Sequence, residues 1–254
     1  MTLAYDASGD GPALVLLHSA VCDRRMWDPQ WPVLVDAGYR VVRCDFRGFG
    51  GTPLPDRRHN DAEDVLELLD ALGIEQAALI GASYGGQVAM EIAARRPDRV
   101  SAMALLCASL PGHEPTDELR AFREREDALL EAGDIAGAVE LNVDTWLGPD
   151  ADEAAREKLR GMQRRAFDVQ LAAPEGAGRN KVEIDLSTIK APCLVVSGPH
   201  DVADFRQIAA RLPGLLADAR HLELPWAGHL PNLERPAAVT DLLTDFLRET
   251  VPAG

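Results

Sequence analysis

Five short apolar runs recur along the chain with helix-patterned text between them: "ALVLL" (13–17), "YRVVRCD" (39–45), "AALI" (77–80), "VSAMALLC" (100–107) and "CLVVS" (193–197). Each has the length of one buried strand, and strands separated by helices pair in parallel through crossover connections. The chain is therefore expected to fold as an α/β protein, with a mostly parallel, doubly wound sheet and helices on both faces. One crossover helix can be read residue by residue. In "DAEDVLELLDAL" (61–72), Ala62, Val65, Leu66, Leu69 and Leu72 share one helical face, Asn60 suits the N-cap and Gly73 the stop.

The alternation breaks between residues 111 and about 185. There the text turns helical and charge-rich, from "TDELRAFREREDALLEAG" through "DIAGAVELNVDTWLG" to "ADEAAREKLRGMQRRAFDVQLAA". These residues are expected to form an inserted helical cap (111–185) on a core made of 1–110 and 186–254, with the breaker-rich "PEGAGRNK" as the returning linker. A chain of 254 residues can bury a core without disulfide or metal staples. The scattered Cys22, Cys44, Cys107 and Cys193 accordingly read as small core residues.

Charge and composition exclude several function classes. A formal net charge of −15 repels phosphate backbones and anionic lipid surfaces, so neither a nucleic-acid nor a membrane partner is expected. No apolar stretch approaches the roughly 20 residues that span a bilayer. The N-terminal "MTLAYDASGDGPALVLLH" lacks a basic region and a signal-like cleavage site, which makes the cytoplasm the expected location.

The chemistry concentrates where the run at 77–80 meets a helical pattern. Gly81-Ala82-Ser83-Tyr84-Gly85 matches G-x-S-x-G, in which small neighbours let a strained turn lift a serine hydroxyl clear of the sheet edge. The strand before it and the helix after it are the context that the motif requires. A serine needs a base, and the base a carboxylate to orient it. Asp201 follows the strand "CLVVS" in "GPHDVADF", and His229 lies in "WAGHLPNLERP" before a final helix beginning near Pro236. Asp204, in the same loop as Asp201, competes for the acid role. His200, Asp201 and Asp204 are metal-ligand types, but no second cluster completes a site, and no metal is expected.

These segments, with "LLHSA" (16–20) and "DFRGFGGT" (45–52), resemble the α/β-hydrolase fold over nearly the whole chain. The resemblance implies a Ser83–His229–Asp201 triad, with the backbone N–H groups of Ala20 and Tyr84 as the oxyanion hole. Ser19 stands where that family usually has glycine, so its side chain is expected to narrow or polarise the pocket. His18 is expected to hold the oxyanion loop by hydrogen bonds, and Asp45 with Arg47 to form a structural turn. Trp146 and Leu230 are candidate pocket residues. The expected function is hydrolysis of small or medium carboxylic esters through an acyl-enzyme, with no cofactor. "HSAVCDRRMWDPQ" (18–30) and "EDVLELLDALGI" (63–74) resemble the enol-lactone hydrolase branch, so a lactone substrate stays open. So do carbon–carbon bond hydrolysis, aminopeptidase and haloperoxidase-like chemistry, and a ligand sensor with little turnover. Dehalogenases and epoxide hydrolases of this fold normally carry aspartate at the elbow, and Ser83 argues against both.

Overall fold

The computed structural model describes residues 3–180 and 182–253. Met1 and Thr2 of the N-terminal segment, Lys181 of the linker and Gly254 lie outside the described residues. In chain order the strands are β1 (Tyr5–Ser8), β2 (Ala13–Leu17), β3 (Arg40–Cys44), β4 (Arg58–His59), β5 (Ala77–Ala82), β6 (Val100–Leu106), β7 (Gly178–Arg179), β8 (Cys193–Ser197) and β9 (Ala219–Glu223). The helices are α1 (Gln30–Asp36), α2 (Asp61–Ala71), α3 (Tyr84–Arg95), α4 (Asp117–Glu131), α5 (Ile135–Trp146), α6 (Glu153–Leu171), α7 (Ala203–Arg211), α8 (Pro231–Glu234) and α9 (Pro236–Thr250).

Seven strands form one sheet in the order β1-β3-β2-β5-β6-β8-β9, parallel throughout except for the antiparallel edge strand β1. The apolar runs are continuous because both faces are covered. Leu14, Leu16, Ile80, Leu106 and Val196 pack with α9 residues Val239, Leu243 and Phe246 on one side. Val15, Leu17, Leu79, Leu105 and Val195 pack with Val65 and Leu69 of α2 and Val88 and Ile92 of α3 on the other. The edge strands β1 and β9 carry mostly exposed side chains, which is why Tyr5–Ser8 has no apolar signature. The helix read at 61–72 runs from Asp61 to Ala71, with Asn60 Oδ1 accepting from the Glu63 N–H at 2.7 Å.

From β2 the chain passes to β3 on one side and then crosses to β5 on the other. The crevice at the carboxyl ends of β2 and β5 is thus a topological switch point, where sheets of this kind bind ligands. Between β6 and β8 the chain leaves the sheet to form α4, α5 and α6. The way out is fastened to α7: buried Asp204 accepts from the Thr116 N–H (2.9 Å), the Thr116 hydroxyl and His113 Nε2 (3.0 Å). The way back is fastened by the two-residue parallel pair β4–β7, which the linker reading missed. No helix among the described residues is long and apolar enough to cross a membrane.

The β4–β7 pair brings Arg179 to buried Asp61, whose Oδ2 lies 2.8 Å from Arg179 Nε and accepts from the Tyr84 hydroxyl at 2.6 Å. Burial pushes the Asp61 carboxyl up, but His59, Arg179 and Tyr84 outweigh it and hold the pKa at about 2. A carboxyl depressed on folding stabilises the fold above its unfolded value, near 4, and loses that effect as pH falls towards 2. Asp61→Asn is expected to cost about 2 kcal/mol at pH 7. Urea titrations should show the gap to wild type closing between pH 4 and 2.5; a gap that stays constant would mean the ion pair carries no such linkage.

Candidate active site

Ser83 sits between β5 and α3 with φ 50° and ψ −114°, a conformation that L residues avoid. Its neighbours allow it. A side chain on Gly81 would stand 2.4 Å from the Gly85 carbonyl oxygen, and one on Gly85 only 2.2 Å from the Leu17 carbonyl oxygen. The turn is therefore pressed against the end of β2, and no larger residue fits at either glycine. Two further bonds fasten it beside β6: the Ser83 N–H donates to Leu106 O (2.8 Å), and the Ser83 carbonyl accepts from the Ser109 N–H (3.1 Å).

Ser83 opens on a cavity of about 400 Å³ at the switch point. Ser19, Ala20 and Tyr84 line it beside the serine, and His229 lines it from the loop after β9. Neither the Ala20 nor the Tyr84 backbone N–H has a hydrogen-bond partner among the described residues. Tyr84 is the first residue of α3, where helix N–H groups are unpaired and the helix dipole favours negative charge. His18 braces this wall. The Phe46 N–H donates to its Nε2 (2.9 Å), so the proton sits on Nδ1, which donates to Ser19 O (2.8 Å). Burial lowers the His18 pKa and keeps the ring neutral. Ser19 lines the cavity, with its hydroxyl 3.5 Å from the Val21 N–H.

His229 and Asp201 are both buried, with His229 Nδ1 at 2.9 and 3.0 Å from the two carboxylate oxygens. The carboxylate fixes the proton on Nδ1 and leaves Nε2 as the basic nitrogen. Asp201 also accepts from the Val202 N–H at 2.7 Å. Neither Ser83 Oγ nor His229 Nε2 makes a hydrogen bond among the described residues, and both residues line the one cavity. Phe205 and Trp146 flank the imidazole at centroid distances of 4.1 and 4.7 Å.

Asp204 does not reach His229; it belongs to the His113–Thr116 clamp described above. The ligand-type set gathered by the fold is Cys107, Asp201 and His229 rather than His200, Asp201 and Asp204. Burial and the Asp201 charge raise the Cys107 thiol well above its ordinary pKa, and its Sγ donates to Gly228 O at 3.5 Å. Asp45 is structural, as expected, accepting from the N–H groups of Arg24 and Gly51 (both 2.8 Å), and Arg47 pairs with Asp64 at 2.6 Å. Leu230 is corrected. It is fully buried in the core and lies outside the cavity lining, and its N–H donates to Glu234 Oε1 (3.2 Å) at the start of α8. Trp146 lines the cavity and also belongs to the buried core.

Sequence reasoning missed the group that shapes the histidine loop. Glu234 accepts from the Gly228 N–H (2.7 Å) and the Leu230 N–H (3.2 Å), gripping the chain on both sides of His229. Burial raises its pKa against these bonds. A Cβ at Gly228 would lie 2.4 Å from Gly148 N, so the turn after α5 rests directly on this loop. Also missed were Glu126, Asn142 and Gln163 in the cavity wall. The signal was available: Asn142 interrupts the buried stripe Ala138, Val139, Val143 and Trp146, and Gln163 interrupts Leu159, Met162, Ala166 and Phe167.

A doubly wound parallel sheet that carries a strained serine after a central strand, with an aspartate–histidine pair after the strands beyond it, defines the α/β-hydrolase fold. Residues 14–242 match the model of the alpha/beta hydrolase family, and the chain belongs to that family. It is 30% identical to "Putative carbamate hydrolase RutD" of Variovorax paradoxus (strain S110), over 100% of this chain and 99% of that one. Among solved structures, the enol-lactonase from Burkholderia xenovorans LB400 is 28% identical with a TM-score of 0.77, covering 96% of each chain. A thermophilic esterase from Thermogutta terrifontis is 25% identical with a TM-score of 0.78, over 97% of this chain and 93% of that one.

Proposed function

We propose that the protein hydrolyses carboxylic esters of small to medium size through an acyl-enzyme. The observation that carries this reading is the buried Asp201–His229 pair opening on the cavity where Ser83 is held at a strained turn. His229 Nε2 takes the Ser83 Oγ proton as the oxygen attacks the ester carbonyl. The N–H groups of Ala20 and Tyr84 receive the developing oxyanion, and Asp201 holds the imidazole and stabilises its charged form. The carbon–oxygen bond to the alcohol then breaks, with His229 returning the proton to the leaving group. Water, deprotonated by the same nitrogen, releases the acid and frees Ser83. The Ser83–His229 hydrogen bond forms with substrate in place, as such bonds tighten in the Michaelis complex.

In this reading the partner is a small molecule, no cofactor or metal takes part, and the enzyme works in the cytoplasm. Residues 111–185 act as a cap over the core, and α4–α6 roof the pocket. The lactone alternative is supported by the likeness to the Burkholderia enol-lactonase. Steady-state assays with p-nitrophenyl esters from acetate to decanoate, beside a set of lactones, test both. Turnover of short esters is the expected result. A single slow acylation without cycling would instead favour the sensor reading.

Trp146 is expected to set chain length. It meets Phe122 and Phe205 edge to face and the tilted His229 ring, and its Nε1 donates to Asn142 Oδ1 at 2.9 Å. Trp146→Ala should widen acceptance towards longer acyl chains and also cost about 3–5 kcal/mol, because the ring is core as well as wall. Parallel chain-length profiles for the two proteins would remove Trp146 from the pocket's selectivity.

A further inference from the structure

Most of the cavity wall opposite the sheet is apolar, built from Leu119, Phe122, Trp146 and Phe167 of α4–α6. Polar side chains nevertheless interrupt it: Arg123 and Glu126 from α4, Asn142 from α5, and Gln163 and Gln170 from α6, of which Gln170 is engaged, its Nε2 donating to Gly48 O at 3.2 Å. Asn142 is satisfied. Its Nδ2 donates to Glu126 Oε1 and to Ala138 O (2.9 Å), and its Oδ1 accepts from the Trp146 indole. Gln163 is not. It is only 4% exposed, its Oε1 is buried without a donor, and neither end of its amide is hydrogen-bonded among the described residues. The second Glu126 oxygen also lacks a partner among those residues.

An unpaired amide in a buried helix face costs stability that an apolar residue there would not, so its presence calls for a partner that arrives with a ligand. We infer that Glu126, Asn142 and Gln163 form a recognition site for an uncharged amide-type group on the substrate, remote from the carbonyl that Ser83 attacks. The substrate's N–H donates to Gln163 Oε1 and to the free Glu126 oxygen, and its C=O accepts from Gln163 Nε2. A carboxylate has no N–H to give and would leave Gln163 Oε1 and the free Glu126 oxygen unpaired. An ammonium has no acceptor and would leave the Gln163 N–H groups unpaired. Arg123, on the same wall, is exposed and reaches solvent. This site rests on the hydrolase reading for its role but not for its existence.

Two pairs of probes separate the two ideas. p-Nitrophenyl 4-carbamoylbutanoate and p-nitrophenyl 5-oxohexanoate differ only in NH2 against CH3 at the far end of the acyl chain. Pentanamide and 2-hexanone differ in the same way and cannot be hydrolysed as esters. Wild type should favour the amide ester by about tenfold or more in kcat/KM, and bind pentanamide about fivefold or more tighter by ligand-observed NMR. Gln163→Leu should bring both ratios close to one; should it not fold, Gln163→Met serves the same purpose. Ratios near one in wild type, or ratios that survive the substitution, overturn the site. Amide-selective binding that depends on Gln163, without turnover of any ester, would keep the site and reject the hydrolase reading. Turnover without amide selectivity would do the reverse.

Discussion

Ser83→Ala is expected to reduce ester turnover on the order of 10⁵-fold or more, while circular dichroism and thermal melting stay those of wild type. The size follows from the removal of the only group that bonds to the substrate in the proposed reaction. The intact fold follows from geometry: the hydroxyl makes no hydrogen bond among the described residues, and the turn is held by backbone bonds to Leu106 of β6 and to Ser109 just beyond it, which alanine keeps. Alanine also meets the same penalty at φ 50° that serine already pays. A variant retaining more than about one per cent of the rate would take Ser83 out of the mechanism.

Asp201→Asn is expected to lower kcat on the order of 10³ to 10⁴-fold. The amide keeps the shape but presents N–H to Nδ1, which favours the wrong imidazole tautomer and no longer stabilises the charged ring. Asp204→Asn is the informative comparison. Asp204 holds Thr116 and His113 instead of His229, and these bonds together with its depressed pKa mark it as a structural carboxylate. Burial alone would raise that pKa, and the Thr116 hydroxyl and amide with His113 overcome it. Its loss should cost about 1–3 kcal/mol of stability and little of kcat. Kinetics and urea melts on the same two variants would reveal a reversed ranking, which would move the acid role to Asp204.

The sheet was legible because buried parallel strands leave continuous apolar runs, and all five runs became neighbouring strands. Tyr5–Ser8 was silent because an exposed edge strand has no such run. The serine turn was legible because steric demands force glycine at 81 and 85, so geometry is written in residue type. Asp204 competed with Asp201 because both follow β8 closely, and periodicity does not say that the carboxylate three residues on, already in α7, turns to Thr116 and His113 while Asp201 meets His229. Leu230 was misplaced because adjacency to His229 in the chain does not say which way a side chain goes: His229 lines the cavity and Leu230 packs in the core. The wall residues Asn142 and Gln163 were hidden inside amphipathic helices that were read for their apolar stripes alone.

The helices over the pocket are anchored at three corners: Thr116 to Asp204, Gly148 to Gly228, and β7 to β4. Two of those anchors adjoin the acid and base loops themselves. In the proposed reading, a substrate reaches Ser83 beneath helices fastened at these three corners. The inward faces of α4–α6 divide likewise: Trp146 touches the His229 ring, whereas Glu126, Asn142 and Gln163 make no hydrogen bond to His229 or Asp201. In the proposed hydrolase, selectivity is therefore expected to drift through substitutions at those polar wall positions more freely than at Trp146, where a change also reaches His229.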